Sequence, residues 1–223
     1  TATVSSGLVS GNPLSFTASG VNPAGIRTWA GTQSTDWSVA GNWSPNSVPT
    51  NADDVVIPAG PSNLPTVTAS CSARSLTVNT GATLDLGASN CLVSGNVLAN
   101  GAITGTGAVQ IATTALVSGN LPSLQVSGAV SATGSLSLTG SLTVSGASGN
   151  LIVSGQAISV AGNFTTQGGA ILTMTNSADQ VSVTGNASFG GGDETNKLTA
   201  GLFAVGGNLS QVGPTVTSFA AGG

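Results

Sequence analysis

A parallel β-solenoid is the fold class this sequence predicts, and three observations predict it. The 223 residues are only 4% charged, with three basic side chains, seven acidic ones and no histidine. The 33 glycines stand among abundant Ser, Thr, Ala and Val, a composition that opposes helix and favours strands broken by turns. A four-residue signature, an aliphatic residue, any residue, Gly, then Asn or Ser, returns at a nearly constant interval.

The scarcity of charge excludes function classes as well as folds. A soluble domain is ordinarily ~25% charged, yet residues 86–178 contain no Asp, Glu, Lys, Arg or His. General acid/base catalysis, metal capture and phosphate binding draw on those five residue types, so no catalytic residue, metal site or cofactor is expected there. Nucleic acid needs a basic stripe, whereas Arg27, Arg74 and Lys197 are far apart under a net charge of −4. The mean hydropathy is +0.34, but no run approaches the ~18 apolar residues of a spanning helix, so the chain is not expected to cross a membrane. Recurrent Val, Leu and Ile argue against disorder.

The signature reads Val93-Ser94-Gly95-Asn96, Val117-Ser118-Gly119-Asn120, Leu138-Thr139-Gly140-Ser141, Val160-Ala161-Gly162-Asn163, Val183-Thr184-Gly185-Asn186 and Val205-Gly206-Gly207-Asn208. The spacing of its aliphatic positions is steady enough to mark a repeat architecture. Each period holds alternating runs such as Leu136-Ser137-Leu138 and Leu142-Thr143-Val144, which place aliphatic side chains inward and hydroxyls outward. About 22 residues suffice for three short strands and three corners, one coil of a solenoid, and no segment offers a crossover helix. A β-propeller blade needs roughly 40 residues and would leave too few blades. With coils ~4.8 Å apart, about seven coils from Leu64 onward make a rod roughly 34 Å long.

Two features follow from stacking. Asn96, Asn120, Asn163, Asn186 and Asn208 recur at one position, interrupted by Ser141. Stacked amides there would form a ladder along the axis, each donating to the next coil; alternatively, Asn merely tolerates a positive-φ turn beside Gly. Cys71 and Cys91 are separated by close to one coil. Matching positions on adjacent coils fall within the ~4.4–6.8 Å Cα window of a disulfide, so a bridge is expected over two free thiols.

The segment 29–57 differs in kind, holding Trp29, Trp37 and Trp43 with Asp36, Asp53 and Asp54. An open solenoid end exposes core and strand edges and must be covered, so the aromatic segment reads as a cap. A Trp-rich patch with acids can instead stack sugar rings, which makes these indoles candidate contacts for surface glycans. The organisation expected is a strand segment at 1–25, a Trp-rich cap at 26–63 and solenoid coils at 64–223.

Trp29-Ala30-Gly31, Asp36-Trp37, Asn42-Trp43, Val48-Pro49 and Asp53-Asp54-Val55-Val56-Ile57, followed by Val- and Gly-rich coils, resemble the opening of β-solenoid regions in large secreted bacterial surface proteins and autotransporter-like adhesins. The resemblance spans roughly residues 29–213. It implies an extracellular or cell-surface location and a role in adhesion or matrix, with no catalytic residues to carry over.

Val9-Ser10-Gly11-Asn12, followed by Leu14 and Phe16, repeats the signature ahead of the cap. One reading makes Val9, Asn12, Leu14 and Phe16 an inter-subunit strand that completes the carboxyl-terminal coil of another copy in a head-to-tail fibre. The other makes 1–25 the end of an upstream immunoglobulin-like module of a longer chain. Catalysis finds little material. Asp53 and Asp54 are neighbours that a strand points to opposite faces, and Gly190-Gly191-Gly192-Asp193-Glu194-Thr195-Asn196 reads as a corner loop bulging from the rod. That loop lacks the Asp spacing of calcium coils, a serine nucleophile has no histidine to activate it, and Thr104/Thr106 and Thr173/Thr175 form no coil-spaced array for ice. The expectation is therefore a secreted structural or adhesive element, with a carbohydrate-binding module as the alternative.

Overall fold

The computed structural model of this chain describes residues 25–212 and Phe219. The candidate strand residues Val9, Asn12, Leu14 and Phe16 lie outside them. The chain winds as a parallel β-solenoid. Short strands return again and again to the same two sheets, one of 13 strands and one of eight among the described residues.

The eight-stranded sheet takes one strand per coil: Cys71–Ala73, Cys91–Val93, Ala108–Ile111, Ser123–Val126, Leu142–Ser145, Phe164–Gln167, Ala187–Gly190 and Leu209–Gln211, each parallel to the next. The larger sheet bends around the rest of the coil. It begins with Trp43–Ser44 antiparallel to Ile26–Trp29, which runs parallel to Asp54–Ile57, continues through Ser75–Val78, Val97–Thr104, Ala115–Leu121 and Ala129–Leu138, and ends at Leu202–Val205. This sheet runs unbroken across the boundary expected at residue 64. The cap therefore contributes the first strands of the stack and is not a separate body.

Alternation explains which side chains enter the core. In Leu142–Ser145, Leu142 and Val144 are fully buried while Thr143 and Ser145 face outward. Register turns that alternation into columns. Val109, Leu124, Leu142, Phe164 and Ala187 stack inside, whereas Gln110, Gln125, Thr143, Thr165, Ser188 and Ser210 stack outside. Each fully buried aliphatic side chain contributes roughly 1.5–3 kcal/mol. The outer column explains the absence of charge, because identical charges ~4.8 Å apart would repel at every step, while Gln110 donates from Nε2 to Gln125 Oε1 at 2.7 Å.

The register departs from the even period in the middle of the chain. Cys91 pairs with Val109 and Val109 with Leu124, each a shorter step along the chain than the one from Leu142 to its partner Phe164. The coil shortens because two faces merge into one continuous strand, Ala115–Leu121, with a register shift beside Gly119. Gly119 sits at φ +102°, where an added Cβ would lie 2.0 Å from the Ala99 carbonyl oxygen. Only glycine passes that point. Val117 accordingly pairs with Val97 and Ala132, and Leu121, not Val117, is the partner of Leu138.

Candidate functional site: the corner ladder and the two ends

The corner between the two sheets explains the repeated signature in the carboxyl-terminal coils. The aliphatic residue ends the strand of the larger sheet, Gly makes the corner, and the following residue leads into the smaller sheet. Glycine is required by close approach: a Cβ on Gly185 would lie 2.5 Å from Asn163 Oδ1 and 2.6 Å from the Gly162 carbonyl oxygen. Asparagine then bonds along the axis. Asn163 Oδ1 accepts from the Asn186 backbone N–H at 2.8 Å, and Asn186 Oδ1 accepts from the Asn208 backbone N–H at 2.8 Å. Below them, Ser141 Oγ accepts from the Asn163 N–H and Ser123 Oγ from the Ser141 N–H, both at 3.1 Å.

This ladder corrects the expected one in two respects. The side-chain oxygen receives a backbone N–H of the next coil, so the amides do not donate to one another. Asn96 and Asn120 also stand outside it: Asn96 Oδ1 takes the Leu116 N–H at 2.9 Å, and Asn120 Nδ2 donates to the Gly101 carbonyl at 3.3 Å. Their signatures match in sequence, but the shortened middle coils place one at a different corner and the other inside a strand. The alternative, a left-handed turn at Asn, does not apply to any of the five. Among the described residues, the only non-glycine residues with positive φ are Ser154 and Asn196.

Cys71 and Cys91 occupy paired positions on adjacent strands and are joined by a disulfide, with Cα atoms 4.6 Å apart. The loop-entropy gain of such a bridge is on the order of 3 kcal/mol.

At the amino-terminal end the three indoles form one packed layer. Trp29, Trp37 and Trp43 are 1%, 3% and 2% exposed, and Trp43 stands edge-on to both others at centroid distances of 5.0 and 4.6 Å. Two of the polar edges are satisfied internally, Trp43 Nε1 by the Trp37 carbonyl at 2.8 Å and Trp29 Nε1 by the Asn63 carbonyl at 2.7 Å. No ring face is left for a sugar, which corrects the glycan-contact reading of these residues. Asn42 locks the turn between them: Oδ1 accepts from Gln33 and Ser34 N–H, and Nδ2 donates to Ser34 Oγ and the Asp36 carbonyl. In the sequence Asn42 carries only the Asn42-Trp43 resemblance and no role, because its four bonds depend on how the loop 33–42 closes on itself.

The acids of this end are structural. Asp53 is buried against Arg27 at 3.3 Å and accepts from Thr50 and Gly25. Burial pushes its carboxyl up, but the Thr50 and Gly25 hydrogen bonds and the Arg27 charge outweigh that and hold it below the usual range. Asp54 points the other way, as neighbours on a strand must, and meets Arg74 and Ser75 at the surface. Hydrogen bonds from Arg74 and Ser75 keep it low as well. Among the described residues, no three His, Cys, Asp or Glu side chains converge on a common point.

The carboxyl-terminal end is different. Leu202–Val205 and Leu209–Gln211 are the last strands of the two sheets among the described residues. Leu209, in the column that is buried at Leu142, Phe164 and Ala187, is 49% exposed there, whereas Leu202, 61% exposed, continues the outward column of Ala157 and Gln180. Phe164, Phe189, Phe203 and Phe219 form an aromatic stack that reaches this end, with neighbouring centroids 4.8–5.6 Å apart. Beside it lies a cavity of about 270 Å³ lined by Met174, Leu198, Phe203 and Phe219. The loop 190–199 corrects a further expectation: it folds back over the coil beneath, and Glu194 is 0% exposed.

Among the described residues, fold and site define a parallel β-solenoid with a packed tryptophan layer at one end and Leu209, of a core column, exposed at the other. Residues 28–121, less than half of the chain, match a domain family of unknown function, DUF8693. No curated protein and no solved structure matches. Among the described residues, no helix is long and apolar enough to cross a membrane.

Proposed function

We propose that this chain is a structural element of an extracellular or bacterial cell-surface assembly, a rod that joins neighbours end to end in a fibre or adhesin stalk. The observation that carries this reading is the inequality of the two ends. One is closed by a packed layer of indoles; at the other, among the described residues, Leu209 of a core column is exposed. Apolar surface exposed in this way at a strand edge favours association with another β-element. The disulfide is consistent with an oxidising compartment, and an uncharged rod suits a scaffold better than a catalyst. The carbohydrate-binding alternative, which relied on Trp29, Trp37 and Trp43, finds no support in rings that lie inside the cap.

The test is self-association. In sedimentation velocity over a concentration series, the wild-type chain should shift to larger species, and the Leu209→Lys variant should remain monomeric with an unchanged circular dichroism spectrum. A wild-type chain that is monomeric at every concentration, or a lysine variant that associates equally well, removes assembly through this end.

A further inference from the structure

Glu194 is a fully buried acid, and the geometry around it is unusual for this fold. Strand Ile171–Thr173 pairs with Asn150–Ile152 on the preceding coil. On its other side, among the described residues, no strand follows beyond a single parallel bridge from Met174 to Leu198. The loop 190–199 takes that place, bonding at four points: Gly192 N–H to the Ala170 carbonyl at 2.8 Å, Leu172 N–H to Glu194 Oε1 at 2.9 Å, Met174 N–H to the Lys197 carbonyl at 2.7 Å and Thr199 N–H to the Met174 carbonyl at 2.9 Å. Three of these are backbone bonds such as any neighbouring coil would make. The bond from Leu172 ends instead on a side-chain carboxyl oxygen standing where a strand carbonyl belongs.

The arrangement is incomplete in a particular way. Glu194 Oε2 is buried with no hydrogen-bond partner, and so is Thr166 Oγ1, which belongs to the strand beneath the start of the same loop. A Cβ added to Gly191 would come within 3.0 Å of Thr166 Cβ, so loop and strand are in close contact. An orphaned oxygen on a neutral carboxyl costs far less than one on a carboxylate, because desolvation falls mainly on the charged form.

We propose that the loop 190–199 is a proton-controlled plug over the edge of strand Ile171–Thr173, with Glu194 as the titrating group. When Glu194 is protonated, the plug is closed and the Leu172 N–H is bonded. When Glu194 releases its proton to water, the buried carboxylate favours the open loop, where it is hydrated, and the strand edge is uncovered together with Leu172 and Met174. Burial is the main cause of a carboxyl pKa raised to about 7; the Leu172 hydrogen bond and the Lys197 charge pull it down, and Asp193 pushes it up. The strands Phe164–Gln167, Ile171–Thr173 and Leu202–Val205 bring no titratable group. Asp179, at the preceding corner, bonds to the Gly155 and Asn176 N–H groups.

The sign follows from linkage. The folded pKa lies above the ordinary carboxyl value, so there is no penalty below pH ~4.5; it grows as pH rises and is complete above about 7. The closed-to-open ratio should thus fall about tenfold between pH 6 and pH 8. This does not depend on whether rods assemble.

Amide hydrogen exchange read by NMR, corrected for intrinsic rates, tests it on the full chain. Protection of the Leu172 amide should fall about tenfold from pH 6 to pH 8, while that of Val144, in the middle of the stack, should not. Glu194→Gln keeps an oxygen for the Leu172 N–H but cannot ionise, so its Leu172 protection should be independent of pH. Equal wild-type protection at both pH values, a parallel fall at Val144, or the same pH dependence in Glu194→Gln would each overturn the proposal.

Discussion

Replacing Trp43 with alanine is expected to destabilise the chain by about 3–5 kcal/mol, the range for deleting a large buried aromatic side chain. Trp43 is the middle member of the indole layer, edge-on to both Trp29 and Trp37, and its Nε1 donates to the Trp37 carbonyl. Truncation therefore removes two aromatic contacts, opens a void and leaves a buried carbonyl unpaired. Trp43→Phe isolates the last effect, because most of the ring remains while the hydrogen bond does not; its cost should be about 1–3 kcal/mol. Urea denaturation of the three proteins measures both differences. A loss below about 1 kcal/mol for Trp43→Ala would mean that the cap unfolds independently of the coils it covers.

An even larger effect is expected at the short middle coil. Gly119→Ala places a methyl group 2.0 Å from the Ala99 carbonyl oxygen and 2.5 Å from its carbonyl carbon, at a φ of +102°. Backbone lies against backbone there, and neither side can rotate away as a flexible side chain would. Stability should fall by roughly 4 kcal/mol or more, or the protein should accumulate as insoluble material. Gly60→Ala separates the two causes. Gly60 has a similar φ, +116°, but nothing lies within 4 Å of its Cβ position. Its cost should be only the roughly 1–2 kcal/mol of the left-handed conformation. Comparable losses for the two variants would show that conformation, not close approach of coils, sets the demand for glycine in the short coil.

The features that were legible in the sequence are those set by repetition. Alternating aliphatic residues and evenly spaced Gly-Asn corners follow from stacking itself, and the late signatures at Leu138, Val160, Val183 and Val205 share one register position. Cys71 and Cys91 were readable for the same reason, since a one-coil separation puts paired positions side by side. The middle register was not readable from the signature, because Val117-Ser118-Gly119-Asn120 has the letters of a corner but lies within a strand. A better guide was present in the runs Val109-Gln110-Ile111 and Leu124-Gln125-Val126, which share one pattern and pair directly, one upon the other. Glu194 illustrates the opposite limit. In a glycine-rich polar loop an acid reads as solvent-facing, and only its contact with Leu172, on the coil beneath, places it inside.

The paucity of charge acquires a physical role from the same geometry. Across the uncharged stretch 86–178, outward positions of the stacked strands lie ~4.8 Å above their counterparts, and Gln, Thr and Ser occupy columns where Lys or Glu would repel. Charge appears outside that stretch, singly in its column or beside an opposite partner: Arg27 with Asp53 and Arg74 with Asp54 near the cap, and Asp193, Glu194 and Lys197 in the late loop.

As proposed, this rod is a building element whose carboxyl-terminal end receives a neighbour. Negative-stain electron microscopy of the purified full chain tests it most directly. Stacked strands of the eight-stranded sheet give a solenoid ~34 Å long, and the expected images show such rods joined end to end into filaments one rod wide. A field of dispersed single rods at every concentration would contradict the claim.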